Sequence, residues 1–122
     1  MNFKYIYKII DKDEWALAKD KGVYLGSKKD LEDGYIHFSE EFQIAGTLEK
    51  FFKGQENLLL LKVNTDKLEH LLWEQASDGN MFPHLYSPLE INNMIEEFEI
   101  KKDDQENFIS NSSIILFISS GE

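Results

Sequence analysis

Leu58–Val63 (LLLLKV) is the most apolar stretch of the chain, and it constrains the fold more than any other segment. It is far short of the roughly 20 apolar residues that a membrane-spanning helix needs. A short continuous apolar run without alternation suits a central strand buried on both faces. The chain must then supply apolar cover for two sides of a sheet. At 122 residues with 42% hydrophobic residues it has material for one domain, expected to span residues 1–122. A domain of this size buries roughly 65% of its unfolded surface, so it needs no staples. There is no cysteine, which excludes disulfides, thiolate metal sites and a cysteine nucleophile. Met1–Asp11 (MNFKYIYKIID) alternates and has no small-residue cleavage site after it, so it does not read as a signal peptide. A cytoplasmic protein with no membrane partner is expected.

Charge narrows the partners. The 23 acidic residues outnumber the 13 basic ones, giving −10, and every basic residue is lysine. Binding to a nucleic-acid backbone needs cationic surface to displace counterions, and phosphate recognition favours the arginine fork. Nucleic acid is therefore not an expected partner. Phosphate-bearing small molecules could be held only by lysine, backbone N–H groups or helix N-termini.

Along the chain, Phe3–Ile10 reads as a strand, and Asp11–Lys21 as a helix with Asp at its start, Gly22 as its stop, and Trp15 and Ala18 on one face. Val23–Asp33 reads as a connector with one short turn at most. Gly34–Phe38 (GYIHF) is a short strand, expected beside Leu58–Val63 in the sheet. Ser39 looks like the cap of a second helix, with Ala45, Leu48, Phe51 and Phe52 as its apolar stripe and Gly54 at its end. Thr65 caps a brief turn. Leu71–Gln75 and Phe82–Tyr86 flank the turn signal Ser77–Asn80 (SDGN), which suggests a hairpin. Ile91–Ile100 begins as a turn and ends as a strand, Lys101–Asn107 is a solvated loop, and Ser113–Ile118 (about 113–119) is a last strand. The sum is an α+β domain with six or seven strands and two main helices.

The three histidines, His37, His70 and His84, match no zinc spacing, and no metal site is expected. Alternation in Tyr35–Ser39 puts Tyr35, His37 and Ser39 on one face and Ile36 and Phe38 on the other. That polar row is either a solvent-facing edge, with Ser39 used as a cap, or the wall of a cleft in which His37 donates to a ligand hydroxyl. Phe82, His84 and Tyr86 share a face in the same way. They are either an aromatic core edge or a stacking surface for a flat ring. Trp73-Glu74 lies across the hairpin, and Glu74 there is either a solvated acid or a site carboxylate. Gly26, in Tyr24–Ser27 (YLGS), would permit a close backbone approach.

These segments, in order, resemble a known family. YLGS, then DGYIHFS (Asp33–Ser39), a helix ending in Phe51-Phe52, LLLLKV, LLWE (Leu71–Glu74) and FPHLYSPL (Phe82–Leu89) are similar to the bacterial domain-of-unknown-function family 952, over about residues 5–95. The family pattern has Gly where this chain has Ser87, and an arginine near the Trp-Glu pair that this chain lacks. The family looks like a compact relative of the ADP-ribosyltransferase-like superfamily, a split-sheet α+β fold that holds NAD in a cleft. The segment order is also similar to the catalytic half of RNA 2′-phosphotransferases. On that comparison His37 and Ser39 match a His-x-Ser pair and Tyr35 replaces a preceding His, while the arginines that hold the 2′-phosphate have no counterpart.

The resemblance implies a split, mixed or antiparallel sheet and a cleft to which Tyr24, Ser27, Tyr35, Ser39, Trp73, His84 and Tyr86 contribute ligand contacts. His37 and Glu74 would be its catalytic pair. It implies NAD as a substrate and cleavage of a nicotinamide–ribose bond, whose oxocarbenium-like transition state calls for hydroxyl-orienting donors and a nearby carboxylate. The expected partner is a nucleotide-like small molecule, bound by a monomer or weak homodimer. Two other classes compete: a catalytically inactive binding module, and a protein-interaction element that uses the acidic surface. If His37 orients a ligand, His37→Ala should leave stability within about 0.5 kcal/mol and weaken only ligand binding.

Overall fold

Local signals fix most of the elements. The computed structural model describes residues 5–91, 95–102 and 108–109. The order is β1 (Tyr5–Asp11), α1 (Lys12–Lys21), β2 (Val23–Tyr24), α2 (Lys28–Asp33), β3 (Ile36–His37), α3 (Ile44–Phe51), β4 (Leu58–Asn64), β5 (Leu71–Gln75), β6 (Met81–Leu85), β7 (Leu89–Glu90), β8 (Ile95–Lys102) and β9 (Phe108–Ile109). Short 3₁₀ turns occupy Glu41–Gln43 and Thr65–Lys67. The Asp11 side chain accepts from the backbone N–H groups of Asp13 and Glu14, which starts α1, and Gly22 closes it with φ 82°.

The strands form three antiparallel sets, ordered β1-β4-β8-β9, β2-β7 and β3-β6-β5. This is a small α+β fold. β4 is buried from Leu58 to Leu61 and again at Val63, as its composition requires. Leu59, Leu61 and Val63 share one cluster with Ile6 and Ile10 of β1, Trp15 and Ala18 of α1, and Tyr24, Ile36, Phe38, Leu85 and Leu89. Leu58 and Leu60 face the other way, with Tyr7, Ile9, Ile100 and the α3 residues Ile44 and Leu48. One face of the large sheet is thus covered by α1 and the β3-β6-β5 set, and the other by α3. The two sheets are tied where Tyr7 and Ser39 exchange backbone hydrogen bonds of 2.8 and 2.7 Å. Among the described residues, no helix is long and apolar enough to cross a membrane.

Several expectations change. β3 does not neighbour β4; it pairs with β6, His37 opposite His84, while β1 and β8 flank β4. The expected strand Gly34–Phe38 shrinks to two residues, because Gly34 is the left-handed cap of α2 and Ser39 turns away to pair with Tyr7. The stretch read as a connector contains β2 and α2. Ser39 caps no helix. It is buried, its Oγ lies 3.1 Å from Thr47 Oγ1, and Glu40 starts the following turn by donating its N–H to Gln43 Oε1. Asn64, rather than Thr65, caps the next turn. Phe51, on the last turn of α3, is exposed, while Phe52 beyond it packs against the core. Lys101 and Lys102 continue β8 instead of opening a loop. The expected strand Ser113–Ile118 lies outside the described residues.

Candidate functional site

The site grows from a buried charge. In β1, side chains at 6, 8 and 10 face the cluster under α1, so alternation drives Lys8 into an apolar layer where it is only 6% exposed. An ammonium there needs partners. Lys8 Nζ finds Asp30 Oδ2 at 3.1 Å and the His37 carbonyl at 3.0 Å. Asp30 is delivered by α2 through a capping box. Ser27 Oγ accepts the Asp30 N–H at 3.1 Å, and Asp30 Oδ2 accepts the Ser27 N–H at 2.9 Å. Gly26 makes this possible, since its φ is 126° and a Cβ there would meet Asp30 Cβ at 2.8 Å.

Asp30 in turn holds His37. Its Oδ1 accepts the His37 N–H at 3.1 Å and contacts His37 Nδ1 at 2.5 Å. His37 Nε2 lies 2.9 Å from Asp33 Oδ2. Ionised carboxylates only accept, so the Asp30 contact calls for an N–H on His37 Nδ1. Burial pushes the Asp30 carboxyl up. The His37 ring, Lys8 and the backbone N–H groups of Ser27 and His37 outweigh it and hold the group well below the usual carboxylate range. Burial pulls the Lys8 amine down, against the opposing pull of Asp30.

The second histidine is held differently. β5 and β6 place Glu74 and His84 on one face of the hairpin, and Glu74 Oε1 receives both His84 Nδ1 at 2.7 Å and the Tyr86 hydroxyl at 2.7 Å. These bonds, Tyr86's first, lower the Glu74 pKa, and the same carboxylate pushes the Tyr86 phenol up to about 12. A carboxylate on Nδ1 calls for an N–H there, which turns Nε2 into the outward-facing nitrogen of the ring. That atom has no hydrogen bond among the described residues. It is not sealed in either, because the buried side-chain polar atom lacking a partner is Trp15 Nε1. Tyr35 joins the two histidines. Its ring stacks on His84 at 4.1 Å, lies 4.7 Å from His37 and 5.1 Å from Tyr86, and the two imidazoles stand 5.5 Å apart. Burial, Asp33 and Glu74 raise the Tyr35 phenol.

Beside this cluster lies a concavity of about 320 Å³, walled by Leu25, Leu31, Ile36, Leu85 and Pro88 with Tyr35 and Tyr86, and Asp30 beneath. The volume is at the lower end for small-molecule sites. Neither histidine is part of its wall; Tyr35 and Tyr86 are the shared boundary. No group of three or more His, Cys, Asp or Glu side chains is arranged to hold a metal ion among the described residues.

Five of the nine sequence-derived residues therefore converge: Tyr35, His37, Glu74, His84 and Tyr86. The other four engage elsewhere. Tyr24 is a buried core ring packed edge-on against Trp15, with its hydroxyl 3.5 Å from Glu14. Ser27 caps α2, Ser39 bonds Thr47, and Trp73 donates Nε1 to Glu40 at 3.1 Å. His70 is exposed outside the cluster, in a left-handed conformation before β5. Sequence reasoning missed Asp30, Asp33 and Lys8. The first had a visible signal, the Ser27-x-x-Asp30 capping pattern.

The same architecture occurs in solved structures. The crystal structure of protein CC0527 from Caulobacter crescentus is 42% identical, with a TM-score of 0.79, covering 85% of this chain and 92% of that one. Its double-mutant crystal form matches at 41% identity with the same TM-score and coverage. The solution structure of CC0527 matches at 42% identity and a TM-score of 0.77, covering 86% of this chain and 91% of that one. No curated protein matches. Residues 9–97 match the family described as Protein of unknown function (DUF952), and the chain belongs to that family.

Proposed function

We propose that this protein binds a nucleotide-like small molecule, NAD or a close relative, at the face built by Tyr35, His37, Glu74, His84 and Tyr86. The reaction in this reading is transfer of ADP-ribose, within the ADP-ribosyltransferase-like fold that the family resemblance implies. The observation supporting it is the His84 ring: oriented through Nδ1 by Glu74, stacked by Tyr35, and carrying an Nε2 without a hydrogen-bond partner among the described residues, next to a ligand-sized concavity. In this role Nε2 takes the proton of an acceptor hydroxyl as its oxygen bonds to the ribose carbon, and the carbon–nitrogen electron pair leaves with the ring. Glu74 positions His84. His37, tied to two carboxylates, organises Asp30 and Asp33 rather than accepting a proton.

The binding module without catalysis is favoured by one feature. Glu74 Oε1 already takes two hydrogen bonds, and Asp30 and Asp33 are held by His37, so each cluster carboxylate is already engaged. A thermal-melting screen with NAD, ADP-ribose, nicotinamide and cyclic nucleotides tests both readings. A true ligand at a hundredfold excess over its dissociation constant adds about 2.7 kcal/mol. Nicotinamide release, followed by chromatography and lost in His84→Gln, supports the transferase. Stabilisation without release supports the module, and silence to every compound favours the protein-interaction element.

A further inference from the structure

The chemistry of the concavity narrows what enters it. Its wall is aliphatic and aromatic, and Leu25, Leu31 and Tyr86, at 56%, 64% and 44% exposure, are among the most exposed large apolar residues of the protein. Exposed apolar side chains gathered at a concavity mark a binding surface. The polar floor offers little. Both oxygens of Asp30 are taken, Oδ1 by His37 and Oδ2 by Lys8 and the Ser27 N–H. The capping box of α2 engages the N–H groups of Ser27 and Asp30.

Three basic side chains near the pocket already face carboxylates. Lys8 is buried against Asp30, both ring nitrogens of His37 face carboxylates, and Lys29 Nζ sits 3.2 Å from Asp33. Burial, Asp33, Glu74 and Asp30 push the Tyr35 phenol up and Lys29 opposes them. A phosphate brought here meets the carboxylates of Asp30, Asp33 and Glu74, on a chain of net charge −10 without arginine.

We propose that this pocket takes a phosphate-free, ring-bearing ligand of the nucleobase or nucleoside class, and that phosphate groups add nothing to its affinity. The proposal rests on the small-molecule reading above and deepens it: the ring is the recognised part, and phosphates attached to it stay in solvent. Asp33 is the specificity residue in this account, because its carboxylate lies 3.2 Å from Lys29 Nζ and 2.9 Å from His37 Nε2.

The test is calorimetric titration of the full chain with adenosine, AMP and ADP, at low and at physiological ionic strength. Adenosine should bind tightest, with AMP about threefold weaker in low salt and nearly equal once salt screens the field. Asp33→Asn frees Lys29 and His37, so the AMP-to-adenosine affinity ratio should rise about tenfold, and the rise should shrink with salt. Circular dichroism of the variant confirms that it is folded. AMP or ADP binding wild type about tenfold tighter than adenosine overturns the proposal and leaves the nucleotide reading standing. So does an unchanged ratio in a folded Asp33→Asn. Binding of NAD without any binding of the adenosine series also overturns this proposal alone. Silence to all of them removes both.

Discussion

The two larger sheets are both antiparallel, yet they are held by different forces. The β1-β4-β8 sheet packs apolar side chains on both faces, and its centre, Leu58–Leu61, is buried between α3 on one side and α1 with the smaller sheet on the other. The β3-β6-β5 sheet has one such face, through Ile36 and Leu85. Its other face carries Tyr35, His37, Glu74 and His84, joined by carboxylate–imidazole bonds and ring stacking. A sheet that buries only one face can present chemistry on the other. Besides the Tyr7–Ser39 backbone pair, they are linked by Lys8, a charged residue of the first sheet whose partners, Asp30 and the His37 carbonyl, belong to the second region.

This contrast sets the largest expected effect. Asp30→Ala leaves Lys8 buried without its counter-charge and His37 without its main anchor, and it should cost about 3–5 kcal/mol. Leu60→Ala in β4, a cavity in the apolar layer, should cost about 3 kcal/mol. Urea denaturation measures both. A loss below that of Leu60→Ala for Asp30→Ala would mean that water or relaxation solvates Lys8, and that the ionic link is not what joins the regions.

Acid should separate the regions next. The Asp30 carboxyl is depressed in the folded state, so its contribution to stability is complete above the ordinary carboxylate pKa, near 3.9. It is lost as pH falls from there through the lower folded value. Wild type should therefore lose stability below about pH 4 more steeply than Asp30→Asn, which has no such proton to take up. Parallel acid profiles for the two proteins would assign acid sensitivity to other carboxylates.

The difference between the regions also explains what the sequence made legible. β4, α1 and the β5–β6 hairpin were readable because apolar runs, an Asp N-cap and an SDGN turn act locally. The face shared by Tyr35 and His37, and by His84 and Tyr86, followed from alternation. The ionic floor did not. Nothing near Lys8 in sequence shows that a charge on an alternating strand turns inward, and its partner lies 22 residues away on a helix of six residues. The partners of Ser27 and Ser39 within the protein were hidden for a related reason. Short hydroxyls satisfy local or buried backbone as readily as a ligand, and only tertiary contacts show which.

His37→Ala comes third. The sequence alone suggested a stability change within about 0.5 kcal/mol, as for a residue outside the core. The structure raises that expectation, because Nδ1 contacts the buried Asp30 at 2.5 Å and the ring stands beside Tyr35. Loss of a hydrogen bond to a buried charged group should cost about 1.5–3 kcal/mol. Urea denaturation within 0.5 kcal/mol of wild type would return His37 to a purely ligand-facing role.

Ser27→Ala carries the smallest effect and divides the anchoring of α2 most finely. The hydroxyl accepts the Asp30 N–H at 3.1 Å, while the other half of the box, the Ser27 N–H to Asp30 Oδ2 at 2.9 Å, uses the backbone and survives the substitution. Losing one cap bond should cost about 1 kcal/mol. Asp30 would keep Lys8 and His37, so the variant reads the hydroxyl half of the cap alone, a bond to backbone that Asp30→Ala leaves in place. Because the Ser27 hydroxyl faces the helix start, ligand affinity should stay within about twofold of wild type, a difference of roughly 0.4 kcal/mol. Denaturation and titration of the same sample check both numbers. A stability loss near that of Asp30→Ala would show that the capping box, and not the buried ion pair, fixes α2 against β3. An unchanged stability with a tenfold loss of affinity would move Ser27 back among the ligand contacts.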